Sequence, residues 1–182
     1  RSSDLITEGL NSNSLTQGGC CPTASTRYSL ATPGTDPSVP ALQTVPPGAG
    51  NYTLKIGDGS TVGGYAVRAK QTFAVTAANS VFIYRFAVVL EDGSHSCQQQ
   101  PYFSVAFKDC NGAAIPCGQY DVIAGGSLCS TGTDPSFITS GAYSYKQWTT
   151  AAFDLTAQIG SCVTIDFQVA GCVITQGAHA GY

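Results

Sequence analysis

The feature that most constrains this chain is a repeat of two. Apolar Val163, Ile165, Phe167 and Val169 alternate with Thr164, Asp166 and Gln168. Tyr52, Leu54 and Ile56 alternate in the same way with Thr53 and Lys55. In a third segment Tyr65, Val67, Ala69, Gln71, Phe73 and Val75 oppose Ala66, Arg68, Lys70 and Thr72. Successive side chains of a strand leave on opposite faces, so this pattern buries one face and wets the other. A more continuous apolar run, Ser80 to Leu90, and a shorter one, Tyr102 to Phe107, read as further strands. Others are expected at Gly118 to Ile123 and at Tyr143 to Leu155, the latter broken near Thr150. Asn111-Gly112, after Lys108-Asp109-Cys110, is a hairpin signal. No stretch keeps a helical stripe for more than two turns. Eight or so strands at hairpin spacing predict an all-β fold, an antiparallel two-sheet β-sandwich, with a jelly roll as the first choice.

A length of 182 residues suits one domain. Residues 1–49 are punctuated by Gly18-Gly19, Pro33-Gly34, Asp36-Pro37 and Pro46-Pro47-Gly48. They read as a loop-rich N-terminal part of the same domain, with one short strand near Arg27 to Leu30. Residues 50–182 form the sandwich module, whose last strand is expected to be incomplete. Only 10% of residues are charged, and eight basic residues scattered through a chain of net charge −3 argue against nucleic acid. The longest apolar stretch, Val81 to Leu90, is interrupted by Arg85 and is too short to span a bilayer.

Eight cysteines, Cys20, Cys21, Cys97, Cys110, Cys117, Cys129, Cys162 and Cys172, are many for a cytosolic chain, and no Cys-x-x-Cys pair points to zinc. The even number fits up to four disulfides in an oxidising compartment, with buried free thiols as the alternative. Cys110 and Cys117 flank a short turn that a bridge between them could staple. The chain opens Arg1-Ser2-Ser3-Asp4 and has no methionine, which reads as a mature exported product or a fragment.

Motifs for chemistry fail one after another. Gly57-Asp58-Gly59 starts like a dinucleotide fingerprint, but Val62 stands where the third glycine belongs. There is no Gly-x-Ser-x-Gly elbow and no His-Glu-x-x-His. Glu91 and Asp92 are neighbours whose side chains diverge, whereas glycoside cleavage needs converging carboxylates. No enzyme is expected. The segment Leu90 to Pro101 is dense in polar side chains and joins two expected strands, as binding loops do; a solvated connection pinned by Cys97 is the alternative.

The chain resembles a family of large surface and gliding-associated proteins of Bacteroidetes-type bacteria. Gly50-Asn51-Tyr52-Thr53-Leu54-Lys55-Ile56-Gly57-Asp58 is similar to the family's "GNYSVRLGN". Phe82 to Asp92, His95 and Gln100-Pro101-Tyr102-Phe103 resemble "YAVVLQDPGH…QPRF". Asp109-Cys110-Asn111-Gly112 with Cys117-Gly118 is similar to "DQNGN…CG", and Tyr145-Lys146-Gln147-Trp148-Thr149-Thr150 with Asp154-Leu155 to "YKDWTTVGVDLS". Val163 to Phe167, Cys172 and Gly177 to Tyr182 resemble "VTIEFTTGDCSLGGHFGYAY". The family's proline beside Gly93 is missing, Cys97 and Cys110 are additions, and Ala178 and Ala180 replace bulkier residues. The resemblance implies a non-catalytic surface module in a larger protein with PKD-type repeats, exported by type IX secretion. It also implies that Asp92, His95, Gln100 and His179 are its characteristic polar positions, forming either a structural hydrogen-bond cluster or a ligand or metal site.

The leading expectation is therefore an extracellular cell-surface adhesin or carbohydrate-binding module for a glycan or surface polymer. Trp148, with Tyr102, Tyr143 and Tyr145, could supply sugar-stacking faces, although aromatics at strand spacing also make core. The alternative is a subunit or spacer of a surface filament, pairing through an edge left open by the last strand. An accessory domain of a secreted hydrolase comes third. No cofactor is expected. Structural calcium, with Asp36, Asp58 and Asp134 as ligands, is weighed against ordinary turn roles for those residues.

Overall fold

A computed structural model describes residues 3–9, 16–17, 27–57, 65–93, 96–124, 134–172 and 179–182, with side chains from residue 27 onward except at 179 and 180. The strands are β1 (Ser3–Gly9), β2 (Thr16–Gln17), β3 (Tyr28–Ala31), β4 (Thr53–Ile56), β5 (Ala66–Ala74) and β6 (Val81–Glu91). They continue with β7 (Tyr102–Asp109), β8 (Ala114–Ile123), β9 (Ile138–Ser140), β10 (Tyr143–Asp154), β11 (Cys162–Ala170) and β12 (His179–Gly181). One sheet runs β2-β1-β5-β11-β7-β8 and the other β3-β4-β12-β6-β10-β9, with antiparallel pairing throughout. Among the described residues there is no α-helix. Counting β4–β8 and β10–β12 from one to eight, the sheets read 2-7-4-5 and 1-8-3-6, the order of a jelly roll.

The alternating segments do what their period demands. Val67, Phe103, Val105, Phe107, Val163, Ile165 and Val169 of the first sheet meet Ile56, Phe86, Val88 and Leu90 of the second in one core. Phe86 stacks on Phe103 with ring centroids 5.4 Å apart, and Phe107 on Phe153 at 4.2 Å. The β6 strand departs from alternation because its sheet is covered on both sides. Phe86, Val88 and Leu90 face the main core, while Ala87 and Val89 lie under Val39 and Leu42 in a second cluster with Tyr145 and Tyr182. The covering segment, residues 32–48, is held by Asp36, whose Oδ1 accepts from the Ser38 and Val39 amides at 2.9 Å each. Its Oδ2 accepts from the Tyr182 hydroxyl at 2.6 Å.

Three expectations change. The N-terminal part holds β1 and β2 besides β3, and β1 pairs with β5 over its whole length. Ser3–Gly9 has its two apolar residues side by side, so no period of two marked it; β5 recruits it through the backbone. The last strand is not at an edge. A jelly roll inserts its eighth strand between the first and third, and β12 accordingly pairs with β4 and β6, leaving β3 and β9 as the edges. The sulfur pairing also differs. Asp109 pairs with Val163, which sets Cys110 beside Cys162, and these two are bonded with Cα atoms 5.2 Å apart. Cys117 is free and exposed, displaced from Cys110 by the irregularity between Ala106 and Lys108 on the facing strand. Cys172 is free and buried, so four disulfides do not form. Cys97 is disulfide-bonded, while Cys20, Cys21 and Cys129 lie outside the described residues.

Candidate functional site

The rim segment after β6 is tied to itself. Gln100 is 4% exposed, and its Nε2 donates to Asp92 Oδ1 at 2.7 Å while its Oε1 accepts from the Gly93 amide at 3.2 Å. One buried side-chain amide thus joins both ends of the turn, a role that shapes a loop. His95 lies outside the described residues. The backbone of His179 pairs with Leu90, which puts its position at the sheet end from which Asp92 emerges. Trp148 is elsewhere. It sits in the β10 bulge between Lys146 and Thr149, whereas Tyr143 is the β10 residue opposite Glu91. At about 3.3 Å per residue the five-residue interval separates Trp148 from the rim by roughly 16 Å. Its indole donates to the Gln43 carbonyl at 2.7 Å and Gln147 donates to the Ala41 carbonyl at 3.2 Å, so the bulge fastens the covering segment.

Two of the three aspartates weighed as calcium ligands spend their oxygens on the chain itself. Asp36 caps the covering segment as described, and Asp58 lies outside the described residues. Asp134 accepts from Lys146 Nζ at 2.6 Å, from the Tyr120 hydroxyl at 2.7 Å and from the Ser136 amide at 2.9 Å. Burial pushes its carboxyl up, but these donors outweigh burial and hold it well below the usual carboxylate range. Burial first, and then the bond to Asp134, push the Tyr120 hydroxyl far above its usual value. Lys146 also bonds the Ser136 hydroxyl, a pairing that would suit a nucleophile and base. The same ammonium, however, is also paired with the Asp134 carboxylate at 2.6 Å. Among the described residues no group of three or more His, Cys, Asp or Glu is placed to hold a metal ion.

A cleft of about 170 Å³ opens beside β12, lined by Leu54, Arg85, Phe103, Phe167 and Tyr182 among others. Small-molecule sites run to roughly 300–1,000 Å³, so this one is short of room for a ligand of ordinary size.

The outer face of the first sheet is built differently. Because Val67, Ala69 and Phe73 pack inward, Arg68, Lys70 and Thr72 of β5 face out. The register sets Arg68 opposite Gln168, Lys70 opposite Asp166 and Thr72 opposite Thr164. On the other side of β11, Ser104, Ala106 and Lys108 of β7 oppose the same three residues. A row of ion pairs and hydrogen bonds crosses these three strands. Arg68 Nε lies 3.0 Å from Asp166 Oδ1 and Lys108 Nζ lies 3.2 Å from Asp166 Oδ2. Arg68 Nη2 donates to Gln168 Oε1 at 2.8 Å, and Gln168 Nε2 bonds the Tyr102 hydroxyl. Thr72 and Thr164 bond each other at 2.8 Å. Asp166 and Gln168 are 5% and 7% exposed, whereas the Arg68 and Lys108 side chains are 31% and 36% exposed. A buried acceptor layer thus holds an outer layer of cations in fixed positions.

Apart from Tyr102, weighed as a sugar-stacking face, none of these residues stood out in the sequence. The signal that could have found them is the polar half of the alternation itself. Thr164, Asp166 and Gln168 on one strand and Arg68, Lys70 and Thr72 on another form adjoining rows once the strands pair.

The fold and this face define a disulfide-bonded jelly-roll domain with a polar sheet platform. No family model matches the sequence, and no curated protein matches it. Among solved structures it is similar to the enzymatically active domain of tailspike protein 4 of bacteriophage CBA120, with 13% identity and a TM-score of 0.38. That match covers 98% of this chain, which spans only 18% of the tailspike chain. It is similar to the carbohydrate-binding module TmCBM61, solved with β-1,4-galactotriose, at 11% identity and a TM-score of 0.36, covering 74% of this chain and 67% of the other. The K1 cleaved adhesin domain of Lys-gingipain from Porphyromonas gingivalis matches at 11% identity and a TM-score of 0.33, over 87% and 90%.

Proposed function

We propose that this domain is a non-catalytic binding module of an exported surface protein and that it holds a polysaccharide on the outer face of β5, β11, β7 and β8. The observation that carries the reading is the row Lys108–Asp166–Arg68–Gln168–Tyr102, fixed across three strands with its polar atoms in one layer. Sugar polymers are recognised by hydrogen bonds from planar polar groups held in place beforehand, because ordering free side chains at binding costs roughly 0.5–1.5 kcal/mol each. The Cys110–Cys162 disulfide and the resemblance to surface proteins of Bacteroidetes-type bacteria support an exported setting. Among the described residues no helix is long and apolar enough to cross a membrane. Titrating polysaccharides into the folded domain and into its Gln168→Ala variant tests this. Binding that survives in the variant, or is absent from the parent, would defeat it.

Filament assembly is a second reading, favoured by one observation. Both edge strands of the second sheet carry an exposed apolar residue, Leu30 on β3 at 67% and Ile138 on β9 at 46%. Sedimentation at rising concentration tests it, with assembly that Leu30→Lys abolishes as the expected result.

A further inference from the structure

We infer that the polysaccharide is acidic, a polyuronate whose carboxylates meet Arg68, Lys70 and Lys108; this rests on the platform being a glycan site. Three of the chain's eight basic residues stand on one face, Arg68 and Lys70 on β5 and Lys108 on β7, on either side of β11, in a protein whose net charge is −3. Among the described side chains the acids on that face are Asp166, between the cations, and Asp121 on the edge strand β8 beside Gln119. Beside this placement of charge stands the hydrogen bonding of the row. Asp166 Oδ2 accepts from Lys108, and Asp166 Oδ1 lies 3.0 Å from Arg68 Nε as an ion pair. Gln168 has given its oxygen to Arg68 and its nitrogen to Tyr102. Thr72 and Thr164 are occupied with each other. The cations keep donors to spare. Arg68 keeps Nη1, Lys108 keeps two N–H groups beyond its bond to Asp166, and Lys70 keeps its ammonium. A neutral sugar hydroxyl asks for an acceptor as well as a donor, whereas a carboxylate only accepts. Lys70 and Arg68 are two residues apart, about 7 Å along the strand, and Lys108, two strands over and two residues further along, is about 12 Å from Lys70. A repeating anion can therefore touch more than one of them.

The test pairs two forms of one polymer, polygalacturonate and its methyl ester, which share a backbone and differ in charge. Calorimetric titration should show the acid form binding at least tenfold more tightly, weakening as salt rises. Lys70→Gln and Lys108→Gln should each weaken binding about fivefold. Arg85→Gln, in the other sheet, should leave it unchanged. Lys70 has no part in the Asp166 pair, so its variant keeps the test valid even if Arg68→Gln fails to fold. Equal affinity for the ester would overturn the acidic ligand and leave the platform standing. Failure of both forms and of a neutral panel would overturn the platform with it. Equal affinity for single-stranded DNA would replace the proposal with general polyanion binding.

Discussion

Replacing Cys110 and Cys162 together by serine should cost this domain several kilocalories per mole, and the number follows from where the bridge lies. The two cysteines are 52 residues apart in the chain yet adjacent in space, since Asp109 is the register partner of Val163. Closing a loop of that length in the unfolded chain corresponds to about 4 kcal/mol at 25 °C on the chain-entropy account. The folded state loses little in return. Cys110 is exposed, and the β7–β11 ladder that holds both residues remains. Strain and residual structure in the unfolded chain commonly reduce the effect, so a loss of about 2–4 kcal/mol is expected. In a domain of this size that lowers the melting midpoint by roughly 4–16 °C. Equilibrium urea unfolding of the double variant, with the parent as reference, measures it directly. Treating the parent with reductant should cost more, because Cys97 is bonded as well. A loss below about 1 kcal/mol in the double variant would refute the view that this bridge is a principal constraint on the unfolded chain.

Other outcomes follow from single contacts. Tyr182→Phe leaves a buried oxygen of Asp36 without its donor and frees the covering segment from β12; a loss of about 1.5–3 kcal/mol in urea unfolding is expected. Asp134 is held below its usual 3.8, so its stabilisation is fully present above that pH and is lost as pH falls further. Acid titration of the parent should therefore lose stability along a limb that Asp134→Asn lacks. Gly181→Ala would put a methyl 2.8 Å from Val169 Cγ2 and 3.4 Å from Ile56 and Phe103, all in the core. A fall of about 1–3 kcal/mol in thermal or urea stability is expected.

How much of this was legible in the sequence depends on which face of a strand carried the signal. The β4, β5, β7 and β11 strands were marked by their period because one face meets the core. β10 was marked too, with its break near Thr150 appearing as the bulge between Lys146 and Thr149. The first half of β8 was hidden by Pro116, which an edge strand tolerates. β1 was hidden because its pairing with β5 needs only backbone. The binding face was hidden for a different reason. Arg68 and Lys108 are neighbours of Asp166 only after β5 and β7 take their places on either side of β11, and β7 and β11 are separated by more than fifty residues of chain. Trp148, a plausible sugar platform by residue type, is instead fixed by its bond to Gln43 in the covering segment.

Nitrogen-edited NMR during titration with a short oligogalacturonate measures the central claim most directly. Amide shifts should move along Arg68–Thr72, Ser104–Lys108 and Thr164–Gln168, on three strands at once, and be quenched by salt. Shifts confined to residues 91–101, or to the strands of the opposite sheet, would contradict the account.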